Sequence, residues 1–246
     1  MSVRAETLDG GIVVLTLDRP RANAFDPALV TDLFRAVRAA SEAPALVIAS
    51  SQKLFSAGWD LPIVRALRRE EMQPFVGGFC GLVRELFTFP APVVAALPGH
   101  AIAGGLIVAA AADERIAAEG KGELGLSEVA LGVPIPRACY EVFRHVLGDR
   151  NAERLAAAGD NVSVARAYEI GLVDRIVPAE EVLTAAVARA RQLAGRSRAA
   201  YAEIKRVARE GALYRSFDGD TFLDFWFSDE TRRRVDALVA RLTKKN

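Results

Sequence analysis

Three short apolar runs do most to limit what this chain can fold into. Ala45–Ser50 (ALVIAS) and Pro92–Leu97 (PVVAAL) are apolar almost without a break, and Glu114–Ala118 (ERIAA) becomes so after two residues. Continuous apolar runs of this length predict strands covered on both faces, not the alternation of a half-exposed strand. Helical patterns separate them. Asp26–Ser41 places Leu29, Leu33 and Val37 on one face, with Asp26 as N-cap and Pro27 at the first helical position. Leu61–Pro90 reads as mainly helical. Ahead of these, Val3–Leu8 and Gly11–Asp18 flank Asp9–Gly10–Gly11 and predict a hairpin. After about Pro136 the strands mostly stop. Ser163–Ile170 reads as a short helix capped by Ser163 and stopped by Gly171, Leu172–Val177 as a brief extended piece, and Glu180–Ala194, Ala199–Ala212 and the segment from Thr221 as helices. The expected architecture is an α/β core over residues 1–192, followed by a helical C-terminal region over 193–246.

With 246 residues, half of them apolar, the chain can bury a full core. The net charge of +1 and scattered arginines give no long-range field for nucleic acid, yet leave room for a small phosphate-bearing ligand. Cys80 and Cys139 sit in apolar stretches and read as buried thiols in a reducing compartment. No signal pattern opens the chain and no run approaches about 18 apolar residues, so a soluble cytoplasmic protein without membrane contact is expected. His100 and His145, the two histidines, lack ligand spacing, so no metal site is expected and His100 is read as structural.

Two tight, small-residue turns carry the chemistry. Leu54–Leu61 (LFSAGWDL) and Ala101–Ala109 (AIAGGLIVA) each leave backbone N–H groups free, and the second opens an apolar helix, Ala103–Ala112. Two free amides meeting at one point form an oxyanion hole, with a helix dipole behind one of them. Such a pairing points to chemistry on a carbonyl.

With these residues in view, the chain resembles the crotonase superfamily, the enoyl-CoA hydratase/isomerase family, over almost its whole length. Arg19–Phe25 is similar to the family's first loop, which holds the adenosine part of coenzyme A. Phe55–Leu61 is similar to its first oxyanion motif, Ala103–Gly104–Gly105 to its second, and Ser127–Gly132 to its catalytic-carboxylate segment. Ala165–Tyr168 with Gly171–Val173 is similar to a later helix and strand. The resemblance implies a spiral of ββα units, homotrimers or pairs of trimers, and an acyl-CoA thioester as substrate, with no further cofactor. It implies thioester oxygen bound by the N–H groups of Trp59 and Gly104. It implies substrate contacts from Arg21, Ala22, Ala24, Ser56, Ala57, Gly58, Asp60, Leu61, Ile107, Ser127 and Leu131.

The carboxylates decide which reaction is expected. The family's hydratases hold a water between two glutamates. At the first of those positions this chain has Ile107, and no acid lies between Gly99 and Ala112; the second is retained as Glu128. A single carboxylate in an apolar pocket suits proton transfer from C2 to C4 of a 3-enoyl thioester, and burial against Ile107 and Leu131 should raise its pKa toward neutrality. This matches the monofunctional Δ3,Δ2-enoyl-CoA isomerases, which also carry a nearby proline, here Pro134 or Pro136. The alternatives are a hydratase or other crotonase-type reaction with a second acid such as Glu141, itself read as an exposed helical residue, and a non-catalytic acyl-CoA-binding homologue. Pro62 stands where the family often has a phosphate-binding lysine, leaving Arg21, Arg65, Arg68 or Arg69 for that role. Phe222, Phe225, Trp226 and Phe227 read as packing, with Phe225 or Trp226 as a possible pocket wall. Arg232–Arg234 read as a solvated face over Val235 and Leu238, and the Trp59 indole as able to narrow the pocket.

Overall fold

In the computed structural model, which describes residues 2–214 and 219–243, the three apolar runs lie side by side in the middle of one sheet. The chain runs in order through β1 (Val3–Thr7), β2 (Val13–Leu17), α1 (Pro27–Ala39), β3 (Leu46–Ser50), α2 (Leu61–Val64), α3 (Arg69–Phe87), β4 (Val93–Leu97), β5 (Ala101–Ile102) and α4 (Gly104–Ala110). It continues through β6 (Glu114–Ala118), β7 (Glu123–Gly125), α5 (Glu128–Leu131), α6 (Arg137–Ala158), β8 (Asn161–Ser163), α7 (Val164–Glu169) and β9 (Arg175–Val177). Helices α8 (Val182–Ala194), α9 (Arg198–Tyr214), α10 (Gly219–Trp226) and α11 (Asp229–Thr243) follow. Residues 215–218 and 244–246 of the expected helical region lie outside the described residues.

The main sheet has the order β1-β2-β3-β4-β6-β9 and is parallel except for the β1–β2 hairpin. Its central strands are apolar throughout because both faces are covered. Leu46 and Ile48 of β3 join the large core with α1, α3, α4 and α6, while Val47 and Ala49 face a second core closed by Val182, Ala186 and Ala190 of α8. Helix α1 starts as expected, with the Asp26 carboxylate accepting from Leu29 N–H at 2.8 Å. Leu61–Pro90 is mainly helical, as expected, in two pieces. Asp60 caps the short α2, and Arg68 begins α3 anew with a capping box to Glu71. The small sheet β5-β7-β8, placed beside the later loops, was not expected from the sequence.

A buried charge cluster docks α9 onto this core. Both carboxylate oxygens of Asp113 are used. Oδ2 accepts from Val93 N–H at 2.7 Å and Lys205 Nζ at 2.8 Å, and Oδ1 from Arg209 Nη2 at 2.7 Å. Arg209 also lies over the Phe87 ring at 4.3 Å. Burial lowers the Lys205 ammonium to about 8, against the pull of Asp113. Removing Asp113 strands two buried cations, and a lone buried charge costs far more than an exposed one. We expect Asp113→Ala to lose about 3–5 kcal/mol of stability, read as a shift in the urea midpoint; a loss below about 1 kcal/mol would show that the cluster is solvated.

Candidate active site

The loop around residues 55–60 runs between two other loops and pairs with both. On one side Phe25 bridges Trp59: Phe25 N–H donates to the Gly58 carbonyl at 2.7 Å, and Asp60 N–H donates to the Phe25 carbonyl at 2.8 Å. On the other side Ser56 bridges Ala101, with Ile102 N–H donating to the Ser56 carbonyl at 3.0 Å. In a parallel bridge one residue bonds to both neighbours of its partner, here Phe25 to Gly58 and Asp60, and the partner's own amide points the other way. The Trp59 N–H therefore faces away from the Phe25 loop and has no acceptor among the described residues. Gly104 opens α4, so its N–H has no intrahelical acceptor either. Ala103 before it is held at φ 48°, ψ −123° by donation of its N–H to the Gly125 carbonyl at 2.8 Å.

Close packing fixes which residues fit here. Gly58 has φ +90°, which side chains rarely adopt. A Cβ on Gly105 would lie 2.7 Å from the Ser56 carbonyl oxygen, and one on Gly104 would lie 2.9 Å from Cδ1 of Trp59. The loop before Phe25 is also strained, with Arg21, Ala22 and Asn23 at φ 62°, 66° and 49°. The fully buried Asn23 side chain holds it. Its Nδ2 donates to Ser50 Oγ at 2.8 Å and to the Phe55 carbonyl at 3.0 Å, and its Oδ1 accepts from Arg19 N–H at 2.9 Å. The sequence reading passed over Asn23, although an asparagine beside two small-turn residues is the residue type most at ease in left-handed backbone.

A cavity of about 820 Å³ opens against these amides. Arg21, Ala22, Ala24, Ala57, Asp60 and Leu61 border it, as do Trp59, Gly104, Ile107, Ser127, Glu128 and Leu131. Ser56 and Gly58, expected at the substrate, do not. Ser56 is fully buried, its hydroxyl donating to the Asn23 carbonyl at 2.8 Å and accepting from Gly58 N–H at 3.1 Å, so both shape the loop from behind. The C-terminal helices contribute more wall than expected: Phe222, Trp226, Leu238 and Leu242 all border the cavity, whereas Phe225 is half exposed.

Glu128 is the first residue of α5 and is buried, with Oε2 unpartnered. Burial raises its carboxyl to about 7, and no charged neighbour contributes to the rise. The turn that carries it is clamped by α11, where Thr231 Oγ1 donates to the Gly132 carbonyl at 2.9 Å and Arg234 donates to the Ala130 carbonyl at 3.3 Å. Asp60 is the other acid on the cavity wall, and its carboxylate accepts the Ile63 N–H at the start of α2. Glu141 is not the exposed acid expected. It is buried and bound by Arg144 at 3.1 Å, and it borders a separate cavity of about 260 Å³ beside Cys80 and Arg84. Cys139 is buried as expected, while Cys80 is only partly so. Three of the four arginines considered for a phosphate are in ion pairs: Arg65 with Asp236, Arg68 with Glu70 and Arg69 with Asp224. Arg21 is in none among the described residues, and it borders the cavity.

Residues 7–221 match the enoyl-CoA hydratase/isomerase family model. The chain belongs to that family. Carnitinyl-CoA dehydratase of Salmonella arizonae is 32% identical over 207 residues, which are 82% of this chain and 78% of that protein. The family member described as a probable enoyl-CoA hydratase, EchA3, of Mycobacterium tuberculosis is 28% identical, with a TM-score of 0.82 over 99% of this chain and 97% of that one. Human mitochondrial Δ3-Δ2-enoyl-CoA isomerase superposes with a TM-score of 0.94 over 100% of both chains. At 24% identity it establishes the shared crotonase fold. No helix among the described residues is long and apolar enough to cross a membrane.

The chain's two tryptophans both border this family's cavity. A thioester entering it should therefore change the intrinsic tryptophan emission in a saturable way, and emission indifferent to butanoyl-CoA would place the ligand elsewhere. Glu128 also sets a stability signature. Its folded pKa of about 7 exceeds the ordinary 4.5, so its burial costs nothing below pH 4.5 and progressively more as the pH rises to 7. Glu128→Gln should match the native protein in urea unfolding near pH 4 and exceed it by about 3 kcal/mol above pH 7.

Proposed function

We propose that this family member is a Δ3,Δ2-enoyl-CoA isomerase. The observation that carries the reading is a buried carboxyl with an unpartnered oxygen, Glu128, on the wall of an apolar cavity that also presents two unpartnered amides. The Glu128 carboxylate takes a proton from C2 of a 3-enoyl thioester. Charge moves to the thioester oxygen, where the N–H groups of Trp59 and Gly104 receive it; one such donor contributes about 2.7–4 kcal/mol to a transition state. Glu128 then returns the proton to C4, and the double bond lies between C2 and C3. A pKa of about 7 fits a group that must both take and give a proton near neutral pH. Arg21, in no ion pair among the described residues, meets the coenzyme A phosphates. The subunits assemble as trimers or pairs of trimers, and a monomer in light scattering would refute that part. The apolar Ile204 and Val207, exposed on α9, are candidates for cover there.

The dehydratase among the relatives favours a second reading, addition or loss of water across a 2-enoyl thioester. Water needs a group to hold it opposite Glu128, and Ile107 offers none. Asp60 is engaged at α2 and leaves the Glu128 carboxyl unperturbed by charge. The two readings separate when 3-hexenoyl-CoA and 2-hexenoyl-CoA are supplied in turn. Isomerisation gives a conjugated thioester from the first and no 3-hydroxyacyl product from the second; hydration of the second would overturn the isomerase reading. Binding without turnover of either would leave a thioester-binding protein.

With Glu128 as base, kcat/KM should rise about tenfold per pH unit below 7 and level off above it. Glu128→Gln should keep thioester affinity and lose about 10²–10⁴-fold in kcat. Undiminished turnover would remove Glu128 from the chemistry.

A further inference from the structure

We propose that the Trp59 indole is a chain stop that restricts this site to short acyl groups. The inference rests on the acyl-CoA reading above and specifies its substrate class. Trp59 supplies a cavity-facing amide and, from the same residue, a ring that stands directly against Gly104: a Cβ on that glycine would lie 2.9 Å from Cδ1 and 3.0 Å from Nε1 of the indole. The ring is thus beside the point where the thioester carbonyl sits.

Four other rings hold the indole there. Phe75 and Phe79 of α3 meet it edge to face at 4.9 and 5.5 Å, and Phe222 and Trp226 of α10 do so at 5.6 and 6.0 Å. Phe222 and Trp226 border the cavity but Phe75 and Phe79 do not. The indole therefore separates the cavity from α3, filling the space through which a longer chain would reach that helix. Its Nε1–H is buried with no acceptor among the described residues, as is that of Trp226, so packing accounts for the ring's position.

The same arrangement argues against an acyl group bearing a quaternary ammonium. An aromatic cage binds such a cation by leaving a gap with ring faces within about 6 Å of it. Here the rings touch one another, and Trp59 occupies the gap.

Saturated acyl-CoAs, which cannot undergo the double-bond shift, provide the test by titration calorimetry. Each methylene still entering apolar surroundings adds about fourfold in affinity. For the native protein we expect tightening from butanoyl- to hexanoyl-CoA and none from hexanoyl- to decanoyl-CoA. Trp59→Leu keeps the backbone amide and shortens the ring. It should extend the tightening to decanoyl-CoA, raising the decanoyl-to-hexanoyl affinity ratio at least tenfold. The native length profile needs no variant, so it stands even if Trp59→Leu fails to fold. Affinity that climbs steadily to decanoyl-CoA in the native protein, or an unchanged profile in a folded Trp59→Leu variant, would overturn the stop alone. Carnitinyl-CoA binding more tightly than hexanoyl-CoA would overturn it in favour of a cation site. If none of the thioesters bound better than free coenzyme A, the acyl-CoA reading would fall and the stop with it.

Discussion

Two isolated bridges, Phe25 to Trp59 and Ser56 to Ala101, position the two free amides on which the chemistry of the site depends. They are single residue pairs, too short to count as strands, yet they join three loops into a continuous piece of backbone. Because the pairing is parallel, its geometry turns the Trp59 amide outward without any side chain having to direct it. The second amide follows from the first. Once Ser56 is bound to Ile102, the chain has one residue, Ala103, in which to reverse into α4, and its strained φ/ψ is the local cost of presenting the Gly104 amide at that spot. Donors fixed before the ligand arrives need no reorganisation when charge develops.

The central sheet was legible in the sequence because burial on both faces writes itself as uninterrupted apolar runs. Glu114–Ala118 was placed to the residue and Ala45–Ser50 within one. Helix α1 was legible for a different reason: Asp26 and Pro27 are an N-terminal signature independent of periodicity. The small sheet was not, since strands of two or three residues are too short to show any period. Leu61–Pro90 read as mainly helical and is so, but the break between α2 and α3, with caps at Asp60 and Arg68, was not marked by the apolar pattern.

At the site, the free amides and the buried acid could be read from small residues and a missing second carboxylate. What could not be read was direction. Ser56 and Gly58 belong to the motif but lie behind it, because the Ser56 hydroxyl turns back onto the Asn23 carbonyl. Glu141 carried every sign of an exposed helical acid, and only the approach of α3 and α9 encloses it. The Phe222 and Trp226 walls are set by how α10 crosses α3, a contact between residues about 150 positions apart, as the Arg69–Asp224 pair 155 positions apart records.

That contact between distant parts of the chain has a consequence for when the site comes into being. Trp59 and Glu128 both precede α10 and α11 by more than ninety residues, but Phe222 and Trp226 close one wall around the indole, and Thr231 and Arg234 clamp the turn that carries the acid. The chain through α9 already contains every strand of the central sheet, yet it lacks the roof and the clamp. Competence therefore waits for α10 and α11, however early the sheet that carries the amides has formed.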